Sequence, residues 1–273
     1  MRSQAEKAHA FRELHRRDGA FIIPNPWDVG SARLLARTGF EALATTSVGF
    51  AYSMGRRDHG ITRDEMMAHA AALAAATDLP VSADLENGFG DDAETVADTI
   101  RMAAAAGLSG CSIEDSTNRD GDPIYSLEHA TERIRAAAEV AQALPFPFML
   151  TARSENYLHG RPDLDDTIRR LQAFQDAGAD VLYAPGMTRT SDIATLVSAV
   201  DRPVNALAGM QGVHFDLDEL SRIGVKRVSV GGALSRVALA AMLHAAREMK
   251  DHGTFTFVDE PISSREIGEM FDA

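Results

Sequence analysis

The sequence is poor in the features that mark secreted and membrane proteins. It has one cysteine, Cys111, among 273 residues, so no disulfide can form within the chain, and we interpret this residue as a small buried hydrophobe. No apolar run approaches the ~18 residues that span a bilayer, and the first residues lack the apolar segment of a signal peptide. These absences predict a cytoplasmic protein without a membrane partner.

Basic residues are also in deficit. Lysine and arginine together number 27, whereas aspartate and glutamate number 40, which gives a net charge of −13. Such a charge argues against nucleic acid or an anionic membrane as the partner, since both attract positive charge. No interdomain linker or low-complexity tract interrupts the chain. We therefore expect a globular protein whose partner is a small molecule.

Glycine followed by an apolar strand recurs along the chain. Gly39, Gly107, Gly178 and Gly224 each close a helical stretch and precede a β-rich run, as αβ loops do. Runs in the same role give eight predicted strands: Phe21–Asn25, Ala42–Ser47, Pro80–Glu86, Gly110–Asp115, Phe148–Arg153, Val181–Gly186, Pro203–Ala208 and Arg227–Gly232. Alanine-rich helical patterns lie between them, among them Ala93–Ala106, Tyr125–Ala143, Leu164–Ala177 and Ser191–Val200. This alternation predicts an α/β fold, a (β/α)₈ TIM barrel over residues 1–250, with an open doubly wound sheet as the main alternative.

The C-terminal segment, residues 251–273, differs from the barrel pattern. The stretch Asp251–Val258 is too apolar for a free terminus. Ser263 and Glu266 form a capping box, which predicts a short helix through Phe271. We expect this segment to pack on a neighbouring subunit.

Acidic side chains cluster at the ends of predicted strands, where barrel enzymes carry their sites. Asp84 and Glu86 end the third strand, Glu114 the fourth, and Arg153 the fifth. Unpaired buried carboxylates are costly, whereas a hard cation would stabilise them, and the spacing of Asp84 and Glu86 places both on one strand face. We therefore predict a Mg²⁺ site, with Mn²⁺ as the alternative ion, held by Asp84, Glu86 and Glu114. Solvated loop carboxylates are the plainer explanation of each run taken alone.

Other residues at these strand ends suit an acidic substrate. Arg153 could hold a carboxylate or a developing oxyanion by bidentate hydrogen bonds, or balance the nearby carboxylates. The segment Thr45–Phe50 offers backbone N–H groups to an anion. Asn25–Asp28 brings the only tryptophan to the first strand end, either to line a pocket or to cap the barrel. Asp115 faces away from Glu114 and could hold a loop, and the nine histidines show no metal-ligand spacing.

Five stretches, in order along most of the chain, carry a family pattern: Asn25–Arg33, Thr46–Gly55, Ala83–Gly90, Ile113–Asp115 and Thr151–Arg153. Together they resemble the isocitrate lyase/phosphoenolpyruvate mutase superfamily. The resemblance implies a barrel whose last helix is exchanged between subunits of a homotetramer or dimer, and a Mg²⁺ ion that chelates a 2-oxo acid or its enolate. By position it assigns Asp84, Glu86 and Glu114 to the metal. The predicted substrate-binding set is Trp27, Ser47, Val48, Gly49, Asp58, Asp84, Arg153 and Asn205.

The sequence departs from the superfamily in the loop after the fourth strand. Isocitrate and methylisocitrate lyases carry a Lys-Lys-Cys-Gly-His or Lys-Arg-Cys-Gly-His loop there, and the mutases a Lys-x-Asn-Ser pattern, but Ser116–Tyr125 has neither. Pro185 stands where the lyases tend to have glutamate. A proton donor must then come from the polar residues of the altered loop, which are Arg119, Asp120, Asp122 and Tyr125. The predicted catalytic set is Arg153, Glu114 and Tyr125.

The predicted function is that of a Mg²⁺-dependent carbon–carbon lyase. Its substrate would be a 2-oxo or 2-hydroxy di- or tricarboxylic acid of the isocitrate, methylisocitrate or oxaloacetate kind, cleaved through a metal-stabilised enolate. The altered loop leaves decarboxylation open, because that reaction needs no lyase-type acid. One alternative is phosphonopyruvate hydrolase or phosphoenolpyruvate mutase chemistry on a P–C bond. Another is a non-catalytic 2-oxo acid binder that lost the acid loop.

Overall fold

The structure, a computed structural model, describes residues 2–259 and 262–272. Eight short strands lie within the eight predicted runs. Each is shorter than its prediction, mostly at its carboxyl end, where the chain turns into a loop. The strands are β1 (Phe21–Ile23), β2 (Leu43–Ala44), β3 (Val81–Asp84), β4 (Gly110–Glu114), β5 (Met149–Arg153), β6 (Val181–Tyr183), β7 (Val204–Leu207) and β8 (Arg227–Ser229).

All strand pairs in the sheet are parallel. The order is β1-β8-β7-β6-β5-β4-β3-β2, so the first and the last strand of the chain are neighbours. The two edges approach each other where the Ala44 N–H donates to the Pro24 carbonyl oxygen at 3.1 Å. The sheet is therefore a nearly closed barrel, and the predicted (β/α)₈ fold is confirmed.

Helices follow the strands around the outside of the barrel. Asp92, Ser126 and Asp163 cap the helices that they precede by accepting a hydrogen bond from the backbone N–H three residues later, as their positions in the sequence indicate. The α-helices are α1 (Gln4–Arg16), α2 (Val29–Arg37), α3 (Ser47–Ser53), α4 (Arg63–Ala75), α5 (Ala93–Ala105), α6 (Leu127–Gln142), α7 (Leu164–Asp176), α8 (Thr190–Ser198), α9 (Leu217–Arg222), α10 (Ala233–His252) and α11 (Ser264–Asp272). A 3₁₀ turn covers Thr256–Val258.

The amino-terminal end of the barrel is closed by an apolar plug. Helix α1 precedes the first strand and contributes Phe11 and Leu14 to a buried cluster with Phe21, Met149 and Val181 from the barrel interior. Each such side chain contributes roughly 1.5–3 kcal/mol by leaving water. Because this end is filled, access to the barrel interior is from the carboxyl ends of the strands.

The C-terminal segment forms the predicted short helix, α11, and the Ser263 hydroxyl accepts the Glu266 N–H at 3.1 Å as the capping box requires. This helix lies against α2 of the same chain, where Arg33 Nη2 donates to the Phe271 carbonyl at 2.9 Å. Among the described residues, no helix has both the length and the apolar character that crossing a bilayer requires.

Candidate active site

A polar cavity of about 350 Å³ lies at the carboxyl ends of the strands. Strand ends and the loops that follow them supply its walls, and α3 and the loop after it cover one side. Its lining includes most of the residues predicted from the sequence: Ser47, Val48, Asp58, Asp84, Glu114, Arg153 and Asn205. The barrel thus brings these predicted residues together around one cavity.

Asp84 connects three elements at the centre of this site. Its carboxylate accepts hydrogen bonds from the Ser47 hydroxyl at 2.9 Å and from the Ser47 backbone N–H at 3.3 Å. On its other oxygen it accepts Arg153 Nη1 at 2.9 Å. The Asp84 N–H donates to the Thr45 hydroxyl at 2.9 Å, which fixes the backbone at the end of β3. Asp84 is therefore held in one orientation before any ligand arrives.

Arg153, at the end of β5, is shared by three carboxylates. Its guanidinium lies 2.9 Å from Asp84, 3.2 Å from Glu114 and 2.9 Å from Glu155, and it lies over the Tyr183 ring with 5.3 Å to the centroid. Burial lowers the pKa of Arg153, but the three carboxylates outweigh it and raise the pKa well above its ordinary value. Burial raises the pKa of Glu114, and the charge of Arg153 opposes that change. One positive charge thus faces three acidic groups.

A second acidic group lies beside the first. Asp58, His59 and Glu86 have ligand atoms that all lie within 4.8 Å of one another, and His59 Nδ1 is 3.3 Å from the Glu86 carboxylate. The hydrogen bond to Glu86 raises the pKa of His59 to about 9. The strand face predicted for Asp84 does not extend to Glu86, because β3 ends at Asp84 and Glu86 has a left-handed φ of 50°. Glu86 therefore turns toward His59.

A divalent cation fits the residues at this site. Carboxylates outnumber cationic groups in both clusters, so the cavity carries excess negative charge. One oxygen of Glu86, Oε1, is buried and accepts no hydrogen bond from the described residues. Carboxylate oxygens with room for retained water are the donors that Mg²⁺ prefers. Asp58 and Glu86, whose ligand atoms lie close together with that of His59, would hold such an ion, and the predicted ligands Asp84 and Glu114, which are paired with Arg153, would be further carboxylates available to it.

Two of the predicted substrate-binding residues lie outside the cavity lining. Trp27 is half-buried, and a Cβ on Gly49 would lie 3.1 Å from its Cβ. The Gly49 N–H donates to the Thr46 hydroxyl at 3.3 Å, which caps α3, so this amide has a partner within the chain. Ser47 and Val48, in the first turn of α3, line the cavity, as do Thr45 and Thr46 just before that helix.

The loop Ser116–Tyr125 folds back on itself beside the site. Ser116 and Ile124 form an antiparallel bridge, and the Tyr125 hydroxyl donates to Asp91 at 2.5 Å. Of the described residues that line the cavity, none belongs to this loop. Asp115, just before it, accepts the Glu155 N–H at 2.8 Å and pairs with Arg170 at 3.2 Å. Asp115 therefore holds the loop at the end of β5, in agreement with the structural role expected for it from the sequence.

Five ionisable residues of the lining are absent from the predicted site: His59, Glu155, His159, Tyr183 and Arg227. Glu155 was open to prediction, because it follows Arg153 by two residues at the end of the same strand. Tyr183 and Arg227 sit on predicted strands, but their inward direction becomes known only with the register. The histidines come from separate loops with no common spacing. Cys111 is buried and free, as predicted.

Comparison with known proteins identifies the family. The family model described as phosphoenolpyruvate phosphomutase matches residues 11–250. The chain belongs to the isocitrate lyase/phosphoenolpyruvate mutase superfamily. The resemblance seen in the sequence is thereby confirmed. The matched range includes all eight strands and the loops after them, so it contains the residues that line the cavity.

Three members of the superfamily illustrate its range. A crystal structure of a candidate lyase/mutase from Burkholderia cenocepacia J2315 has 62% identity and a TM-score of 0.97, and covers 99% of this chain and 97% of its own. The 2,3-dimethylmalate lyase of Eubacterium barkeri is 32% identical over 96% of this chain and 93% of its own. A structure of oxaloacetate acetylhydrolase with its product oxalate has a TM-score of 0.86 at 26% identity, over 98% of this chain and 94% of its own. The expected enzyme class, a carbon–carbon lyase of this superfamily, is confirmed.

Proposed function

We propose that this superfamily member is a Mg²⁺-dependent lyase that cleaves a C–C bond of a 2-oxo or 2-hydroxy di- or tricarboxylic acid. The observation that carries the proposal is the arrangement of Asp84, Glu114 and Arg153 around one polar cavity. The names of the relatives, a dimethylmalate lyase and an oxaloacetate acetylhydrolase, support an acid of this kind. Mn²⁺ is the alternative ion.

The side chains of this site divide the work of binding and charge stabilisation. Mg²⁺, when bound, supplies a Lewis acid for the oxo or hydroxy oxygen. Arg153 is already fixed by carboxylates on one side and by the Tyr183 ring on the other, so it can neutralise negative charge that develops on the substrate without reorganising. Ser47 and Val48 present the first turn of α3 to the carboxylate end of the substrate.

Proton transfer to the leaving fragment has two sources in this chain. The predicted donor, Tyr125, is bonded to Asp91 outside the lining, so its use requires the 116–125 loop to close over the cavity. His159 already lines the cavity, and its Nε2 lies 3.2 Å from the Ser116 hydroxyl. Comparing kcat of Tyr125→Phe and His159→Gln separates them, since only the donor's variant loses the chemical step.

Substitution of Asp84 tests the metal proposal. We expect Asp84→Ala to lose Mg²⁺-dependent turnover by at least about 100-fold and to lose Mg²⁺ binding by calorimetry, whereas Asp176→Ala, an exposed acid on α7, should retain both. Unchanged activity in Asp84→Ala would refute the metal site. The substrate panel is oxaloacetate, isocitrate, methylisocitrate and phosphonopyruvate, and phosphate release from the last would indicate P–C chemistry. Tight binding of the panel without turnover would indicate a binding protein.

The exposed face of α10 and of the chain just after it supports the proposed exchange between subunits of a homo-oligomer. Helix α10 and the residues after it expose large apolar side chains, with Val237 67%, Met242 57% and Phe255 62% exposed. Such a surface is typical of a subunit interface. In the monomer, α11 lies on α2, so exchange requires that contact to re-form between chains. Sedimentation equilibrium of the full chain and of the Val237→Asp variant tests whether this surface forms a subunit interface. We expect the wild type to be a dimer or tetramer and the variant to dissociate; a wild-type monomer would refute the proposed oligomer.

A further inference from the structure

Arg227 is a buried cation that crosses the barrel interior. It projects from β8, and its side chain is 5% exposed. Its Nε donates to Asn205 Oδ1 on the adjacent β7 at 2.8 Å, and its Nη2 donates to the Thr151 hydroxyl on β5 at 3.0 Å. Two strands, β6 and β7, separate β8 from β5 in the sheet. The guanidinium therefore spans the barrel and forms the floor of the cavity.

This guanidinium has no acidic partner among residues 2–259 and 262–272. The side chains that hold it are an amide and a hydroxyl, and its Nη1 is buried without a hydrogen-bond partner in the described part of the chain. Arg153, one layer nearer the mouth, has three carboxylates instead. A buried charge without a counter-charge is strongly disfavoured. A bound anion would supply the counter-charge that the buried Arg227 guanidinium lacks.

The surroundings of Arg227 leave the cavity as the side from which an anion can arrive. Below it lie the apolar plug of Phe11, Leu14 and Phe21 and the buried ring of His15, which packs edge-on to two of these side chains. On the cavity side, the lining includes small side chains, among them Ala44, Ser82 and Ser112. Small residues leave room for a ligand to reach the floor, and serine hydroxyls can donate to it.

We propose that Arg227, which lines the cavity together with Asn205, receives a second acidic group of the substrate at the floor of the barrel. This inference rests on the proposed function and deepens it, because Asp84, Arg153 and a bound cation take the 2-oxo or 2-hydroxy acid end at the mouth. A monoacid fills the mouth alone, whereas a diacid of sufficient length contacts both arginines. Arg227 thus selects diacids.

The test compares monoacids with diacids in the full-length protein. Calorimetry with Mg²⁺ present measures the affinities of lactate, as the monoacid, and of malate, 2-hydroxyglutarate and 2-hydroxyadipate, as diacids of increasing length. We expect the wild type to bind its best diacid at least tenfold more tightly than lactate. Arg227→Met should remove that preference while leaving lactate affinity within about twofold, and Arg227→Lys should keep part of it because the charge is retained. Arg189→Met, a change at an exposed arginine, should alter neither.

The outcomes separate this inference from the proposed function. Binding of neither lactate nor diacids to the wild type would refute the proposed function itself. Lactate binding with no diacid preference, or a preference that Arg227→Met retains, would overturn the role of Arg227 and leave the proposed function standing. Stabilisation of the wild type, but not of Arg227→Met, by sulfate or chloride without any diacid preference would assign the floor to a free inorganic ion and also overturn it. Circular dichroism and the Tm of the ligand-free variants verify folding.

Discussion

Protonation of His15 is expected to destabilise the barrel in mild acid. This residue lies at the end of α1 under the barrel, 4% exposed, with its ring edge-on to Phe11 and Phe21. Its Nδ1 lies 2.8 Å from the Phe11 carbonyl oxygen, and its Nε2 is buried without a partner among the described residues. Burial, with the positive charges of Arg227 and Lys226, lowers the pKa of His15 to about 3 from 6.5, although the bond to Phe11 opposes this.

The direction and size of the effect follow from that difference in pKa. Because the folded state has the lower pKa, the unfolded chain binds the proton first as the pH falls. Stability from the neutral ring is therefore complete above about pH 6.5 and is lost as the pH falls toward 3. At pH 4.5, about two units below the ordinary value, the loss is about 3 kcal/mol, since each unit corresponds to about 1.4 kcal/mol.

Urea unfolding at pH 7.5 and 4.5 measures this contribution against a variant that does not titrate. His15→Phe keeps the packing on Phe11 and Phe21 but has no ring nitrogen, so its loss of unfolding free energy between the two pH values should be about 3 kcal/mol smaller than that of the wild type. His214→Phe, at an exposed position, should follow the wild type. Equal losses in the wild type and His15→Phe would refute the reasoning.

Three further substitutions probe the scaffold by urea unfolding. Asp115→Ala removes the buried partner of Arg170, which retains Asp166 at 2.8 Å, so we expect a loss of about 2–4 kcal/mol; a loss below 1 kcal/mol, like that expected for Asp176→Ala, would contradict a positioning role. Gly110→Ala would place a Cβ against the Met149 carbonyl oxygen and force β4 from β5, at a cost of about 1–3 kcal/mol. By contrast, Gly268→Ala, in open space on α11, should be neutral or stabilising by up to about 1 kcal/mol, and equal effects of the two glycine variants would refute the steric argument.

The fold was predictable because the local signals and the barrel agree. The glycines before β2, β4, β6 and β8 have positive φ, between 87° and 108°, and so mark where helices end. Each strand is a short apolar run that the following loop interrupts. The ends of the strands were less predictable, since a run such as Pro80–Glu86 continues to look extended in sequence although β3 ends at Asp84. Pairing is a property of neighbouring strands, and the sequence of one strand does not contain it.

The site was predictable to the extent that strand ends carry charge. Asp84, Glu114 and Arg153 stood out because each closes an apolar run. Glu86 was expected beside Asp84, but its left-handed backbone directs it toward His59, and no local pattern in the sequence indicates that turn. His59 itself comes from a loop whose path depends on tertiary contacts. Residues from regular strands were therefore predictable, whereas residues that loops bring to the cavity were not.

The two arginines that line the cavity, Arg153 at its mouth and Arg227 at its floor, lie in surroundings of different charge. At the mouth, Arg153 faces three carboxylates, and the excess of negative charge favours a cation. At the floor, Arg227 has only neutral partners among the described residues, which favours an anion. A ligand that carries a metal-bound acid at one end and a free acid at the other satisfies both layers at once. The cavity is thus polarised along the barrel axis, and this polarity, rather than the net charge of −13, determines which small molecules it selects.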